Sequence, residues 1–232
     1  MLGFKRRTEM PCIFLCSLQS YIIKQYVMIK SRKDLKAYLE ADKRALGRRG
    51  KKPELFDLVW KFEISLRKNE YYTNCKKSII WKPFKLYNKV KFHILGILCG
   101  YEIPINCIDE GLSIAHKGTI VINHGAHIGK NCRMHVGVNI GTAAGCSDVA
   151  PIIGDNVYLA PGVKLYGPIK IASGIIIGAN AVVTKSFTEE NICIAGVPAR
   201  KISDRGRFDI AKRNRALYGY NTDSTLQQTS DH

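Results

Sequence analysis

Residues 111 to 137, GLSIAHKGTIVINHGAHIGKNCRMHVG, hold four of the chain's six histidines: His116, His124, His127 and His135. An imidazole titrates near about pH 6.5, so a single ring can take and return a proton at neutral pH. Three or four rings converging on one point could instead hold zinc. The backbone beneath them decides between the two, because spacing in sequence becomes spacing in space only through a fold.

That backbone shows a period of six. Apolar or small residues recur at Ile114, Ile120, Ala126, Cys132 and Val138, and again at Val157, Val163, Ile169, Ile175 and Ala181. A second series follows two residues later through Ile122, Ile128, Met134 and Ile140, then Ile153, Leu159, Leu165, Ile171, Ile177 and Val183. Several of its members precede Gly or Ala, as in Ile128-Gly129, Leu159-Ala160 and Ile177-Gly178. A six-residue period suits neither a helix nor a plain alternating strand. It suits a β-solenoid in which each hexad makes one short face and three faces make a coil. The glycines are expected at the tight corners between faces.

Between Val138 and Val157 lie 19 residues, not a multiple of six, so GTAAGCSDVAP is expected to loop out and to carry specificity, with Asp148 its charged side chain. Run back without a break, the register puts His116 in the inward series with Ile122 and Ile128, where an unpartnered ring is costly. His124 falls at a corner, and His127 and His135 point outward. The rings therefore separate, and no metal site is expected. His135, one coil and one residue beyond His116, is the candidate helper beside it.

Ahead of the repeat the period is helical. Ser31 reads as a cap, with Leu35, Tyr38, Leu39 and Leu46 on one face and Gly47 as a stop. Pro53 marks the expected start of a second helix carrying Leu55, Leu58, Val59, Phe62 and Leu66. A third is expected over 83–98, with Lys82, Lys85, Lys89 and Lys91 on one side. Those lysines read as a solvated face, with membrane or glycan contact as the other reading. Residues 1–27 read as a non-structural leader, 28–103 as a helical region, 104–202 as the solenoid and 203–232 as a polar tail.

The chain has 232 residues, of which 46% are hydrophobic, enough for a buried core. Its 36 basic and 19 acidic residues give a formal charge of +17, which favours an anionic partner. Eight cysteines without a CxxC pair read as reduced thiols in a cytoplasmic protein.

GLSIAHKGTIVIN, GVNIGT, PIIGDNVYLAPGVKLYG and the closing IAGVPARKI resemble the hexapeptide-repeat acyltransferases, within them the serine O-acetyltransferase group, and particularly its polysaccharide-associated members. The resemblance implies a mainly β fold, a left-handed parallel β-helix preceded by a small α-helical region. It implies acetyl-CoA as acyl donor, a small hydroxyl-bearing acceptor such as serine or a sugar or surface-polysaccharide precursor, and a homotrimer. Nucleic acid is not among the implied partners. His116 matches the family's catalytic histidine. Ala115 stands where that family has an aspartate, and Val149 and Ala150 stand where an arginine and a second histidine help hold the amino acid acceptor.

By that resemblance His116 takes the acceptor's hydroxyl proton, and the backbone amides of Gly141 and Thr142 face the oxyanion. The pantetheine arm lies over Ala160 and Ala179, with Lys185, Arg200 and Lys201 as phosphate partners. A rival reading is a non-catalytic basic solenoid that binds anionic glycan or lipid.

Overall fold

The computed structural model describes residues 29–144 and 149–207. The expectations for the leader, for Asp148 and for the tail beyond 207 lie outside the described residues.

Helix α1 (Arg32–Ala45) begins where the Ser31 hydroxyl accepts the Asp34 N–H at 3.1 Å, and Gly47 beyond its end has φ 68°. Helix α2 (Leu58–Cys75) starts five residues later than Pro53 suggests. Asp57 is its cap and accepts the Trp60 N–H, while Leu55 lies exposed on the preceding turn instead of in the core. Helix α3 (Lys82–Cys99) carries Pro83 in its first turn and ends on Gly100 at φ 78°, a left-handed stop. Phe62 of α2 stacks on Phe92 of α3 with centroids 5.4 Å apart and meets Tyr101 edge-on at 4.9 Å. This aromatic cluster joins the helices to the base of the solenoid.

The solenoid is a left-handed parallel β-helix with three faces. One sheet stacks β1 (Tyr101–Glu102), β3 (Ile120–Ile122), β6 (Asn139–Gly141), β9 (Lys164–Tyr166) and β12 (Val182–Val183). A second stacks β4 (His127–Ile128), β7 (Ile152–Ile153) and β10 (Lys170–Ile171). The third stacks β2 (Ser113–Ile114), β5 (Arg133–Met134), β8 (Tyr158–Leu159), β11 (Ile176–Ile177) and β13 (Cys193–Gly196), and β14 (Ala199–Ser203) closes it antiparallel. Every residue of the two hexad series is buried, none more than 4% exposed. Pairing Val121 with Asn139 and Lys164 with Val182 sets the coil at 18 residues, three hexads. Asn139 pairs with Lys164, 25 residues on, so the interrupted coil carries a seven-residue insertion on the corner after β6.

One expectation is corrected. Ile114 pairs with Met134, so it belongs to the second inward series and Leu112 takes the first position beneath Cys132. The corner between Ile114 and Ile120 is therefore two residues longer than the one between Met134 and Val138. That lengthening turns His116 out of the core, and its ring is exposed. The glycines after the aliphatics stand at the corners as expected, and Gly129, Gly154 and Gly178 are there with ordinary φ. They stand where coils stack closely: a Cβ on Gly154 would lie 2.8 Å from the Ser173 nitrogen. Left-handed φ falls elsewhere in the coil, on residues such as Asn131 and Gly137.

The first coil has no coil beneath it, and an open sheet edge leaves backbone groups unpaired. Buried side chains of α1 and α2 pair them. Asp42 accepts the N–H groups of Gly111 and Leu112, both at 2.9 Å. Glu63 accepts that of Ile114 at 3.0 Å, and Glu70 that of Asn106 at 2.8 Å. Arg67, wholly buried, donates to the carbonyls of Ile108 and Asp109 at 2.7 Å and ion-pairs with Asp42 and Glu70. The helices thus fix the backbone two residues ahead of His116.

Candidate active site

His116 lies on the corner between β2 and β3. Its carbonyl accepts the Tyr101 hydroxyl at 2.9 Å, and two residues on, the Gly118 N–H donates to the Cys99 carbonyl at 2.9 Å. Gly118 also leaves room for the coil above, since a Cβ there would come 2.3 Å from Val136. Burial raises the Tyr101 hydroxyl above its ordinary value, so it stays protonated and remains a donor.

His135 sits one coil higher beside that corner, its ring centroid 6.2 Å from that of His116 and 5.1 Å from Tyr158. Its Nε2 is buried with no hydrogen-bond partner among the described residues. Burial first, then the Arg133 guanidinium and His116, hold its imidazole below the ordinary value. At neutral pH it is a neutral ring. His127 is on a different face, lowered by burial against the pull of Asp109 and Asp155, and His124 is at the far corner after β3. Of the four rings, those of His116 and His135 come together. Among the described residues no group of three His, Cys, Asp or Glu is placed to hold a metal ion.

Above the pair, the same edge is small. Ala160 stacks over His135 through the bond from the His135 N–H to the Leu159 carbonyl, and Gly178 follows over Ala160 through Ala160 N–H to Ile177. Gly178 in turn donates to Ile194, where a Cβ on it would meet that of Ala195 at 2.9 Å. Ala179 is exposed on this corner. Lys185 and Arg200 are exposed, Lys185 over the ring of Phe187. Lys201 is already held by Glu189 and Asp204. Gly141 and Thr142 end the other side of the β6 face, with Gly141 paired to Tyr166, so one chain does not bring them to His116. Val149 and Ala150 are buried.

Tyr101 and Tyr158 escape a reading of the sequence, since GYEIP shows only a helix stop and the pairing of Tyr101 with Ile120 is a matter of tertiary register.

A parallel solenoid of hexads with a histidine-bearing corner defines a class, the hexapeptide-repeat β-helix proteins, and residues 150–185 match the family model described as bacterial transferase hexapeptide (six repeats). The narrower resemblance, to the serine O-acetyltransferase family of hexapeptide-repeat acyltransferases, is supported by relatives. A serine acetyltransferase of Staphylococcus aureus is 36% identical over 131 residues, covering 53% of this chain and 61% of that protein. One of Staphylococcus epidermidis is 38% identical over 110 residues, 47% of this chain and 51% of that protein. The chain thus spans roughly half to three-fifths of the length of the curated relatives it matches. Among solved structures, Neisseria gonorrhoeae serine acetyltransferase is similar at TM-score 0.58 and 21% identity, over 87% of this chain and 82% of that one. Brucella abortus serine acetyltransferase in complex with coenzyme A is similar at TM-score 0.56 and 22% identity, over 82% and 74%. At that identity the likeness is one of fold.

Proposed function

We propose that the chain is an acetyl-CoA-dependent O-acetyltransferase with His116 as general base. The observation that carries this reading is the exposed His116 imidazole on a lengthened corner, beside the neutral His135 and at the foot of an edge lined by Ala160, Gly178 and Ala179. The sequence relatives are named serine acetyltransferases, and one neighbour by fold is a complex with coenzyme A.

In this mechanism a neutral His116 takes the proton of the acceptor hydroxyl. The alkoxide attacks the thioester carbonyl, the tetrahedral oxyanion collapses, the C–S bond breaks and the protonated ring returns its proton to the thiolate. His135, its ring centroid 6.2 Å from that of His116, borders the acceptor and helps to position it. Gly141 and Thr142 can donate to the oxyanion only where a second copy brings their edge against His116, which is why the active form is a homotrimer in this reading. The small residues let the pantetheine arm lie close to the backbone, and Lys185 and Arg200 face its phosphates, with Lys201 joining only if it leaves its two carboxylates. The five described cysteines are free, as suits the cytoplasm.

Ala115 offers no carboxylate, and Val149 and Ala150 are apolar and buried, so an amino acid acceptor would lack those grips. The acceptor is a hydroxyl of serine or of a sugar or surface-polysaccharide precursor. Thiol release from acetyl-CoA with serine, homoserine and a set of nucleotide sugars tests the reading. One acceptor should raise release above hydrolysis; release unchanged by all of them would count against it.

A further inference from the structure

Helix α3 has two apolar faces, and only one is covered. Asn88, Phe92, Leu95 and Cys99 are buried against the rest of the protein. On the opposite side Leu86, Val90, Ile94, Ile97 and Leu98, three or four residues apart, are 47–80% exposed, and Ile79 and Ile80 on the preceding turn are exposed by 73% and 72%. A single exposed leucine needs no explanation, but a continuous strip on one helix does.

The charge around that strip is one-sided. Between Glu70 and Glu102 the chain has six lysines, at 76, 77, 82, 85, 89 and 91, and no Asp or Glu. None of the six pairs with a carboxylate among the described residues. On the helix, Lys82 and Lys89 border the strip on one side and Lys91 on the other. Trp81 and Tyr87 lie at its start, with Lys76 over the Trp81 ring at 4.5 Å and Lys91 over Tyr87 at 5.9 Å. No helix of the described residues is long and apolar enough to cross a membrane.

We propose that the outer face of α3, with the turn at 79–81, docks the protein on an anionic phospholipid surface. An apolar strip flanked by lysines and interfacial aromatics lies in the plane of a bilayer, with alkyl side chains among the acyl chains and ammonium groups among the phosphates. A second copy related by a two-fold axis fits the same strip less well, because it would set lysine rows against each other with no carboxylate in the segment to pair them. The proposal uses no property of His116 and is independent of the acetyl-transfer reading.

The test is co-sedimentation of the full chain with vesicles of phosphatidylcholine alone, and of equal parts phosphatidylcholine and phosphatidylglycerol. The protein should pellet with the anionic vesicles only, and less as salt rises. Ile94→Glu with Ile97→Glu should weaken binding by about tenfold or more while an unchanged thermal transition reports intact folding, since two charges would enter the apolar layer. Lys82→Gln with Lys89→Gln and Lys91→Gln should weaken binding and flatten its salt dependence. Absence of the parent protein from the anionic pellet would overturn the proposal. So would binding that the Ile94 and Ile97 substitutions leave unchanged. Failure of the parent to bind vesicles, with loss of its oligomer in the Glu variant by sedimentation velocity, would assign the strip to a second copy.

Discussion

The Tyr101 hydroxyl donates to the carbonyl of His116 at 2.9 Å, tying the first strand of the solenoid to the corner that carries the proposed base. Tyr101→Phe keeps the ring packed on Phe62 and removes this one bond. Stability should fall by about 1 kcal/mol, the usual worth of a hydrogen bond. Turnover should fall several-fold with little change in KM for acetyl-CoA. Urea unfolding and steady-state thiol release check the two effects separately.

Arg67 closes the base of the solenoid from inside. Arg67→Met leaves Asp42 and Glu70 buried without their cation, and the carbonyls of Ile108 and Asp109 without a donor. Breaking a buried pair from one side costs about 3–5 kcal/mol. The denaturation midpoint should drop accordingly, and near physiological temperature much of the protein should be unfolded by circular dichroism.

Stability should also depend on pH through Glu63. Burial first, then Asp42, raise its carboxyl well above the usual range, against the pull of the Ile114 N–H and Arg67. The folded state therefore keeps a proton on Glu63 at pH values where the unfolded chain has lost it. Stability is full below the ordinary carboxylate pKa and is lost as pH rises toward the raised value. Glu63→Gln retains an acceptor for Ile114 and removes the titration. The slope of unfolding free energy against pH above the ordinary carboxylate range should become less negative in this variant.

His135 is held neutral mainly by burial, so its ring can meet an acceptor without first losing a proton. His135→Ala should cost about tenfold in kcat/KM for the acceptor, the scale of one lost hydrogen bond at about 1.4 kcal/mol, and leave KM for acetyl-CoA unchanged. Its folded pKa lies below the unfolded one, so its share of stability is present above the ordinary imidazole value and is lost as pH falls through the lowered value. Equal kinetics in parent and variant would remove His135 from the site.

Much of the solenoid was legible because its period is one-dimensional: every residue of the two hexad series from Ile120 to Val183 is buried. The first coil was not, since the register of Ile114 is set by pairing with Met134 and the extra two residues before Ile120 have no signature of their own. The start of α2 was misplaced for a local reason. Pro53 allows a helix to begin, but the Asp57 carboxylate supplies the bond that begins one. The pairing of His116 with His135 could be read only as a one-coil offset, and the buried network around Arg67 could not be read at all. Asp42, Glu63 and Glu70 look like surface residues of amphipathic helices until the open edge they cover is known.

The most direct test of the central claim is thiol release by His116→Ala at neutral pH, with the oligomer checked by sedimentation velocity. The predicted result is a fall in turnover of about 10²–10⁴-fold, the range for a lost general base, with the assembly and the thermal transition unchanged because the ring is outside the core. Acetyl transfer at the parent's rate in this variant would contradict the account.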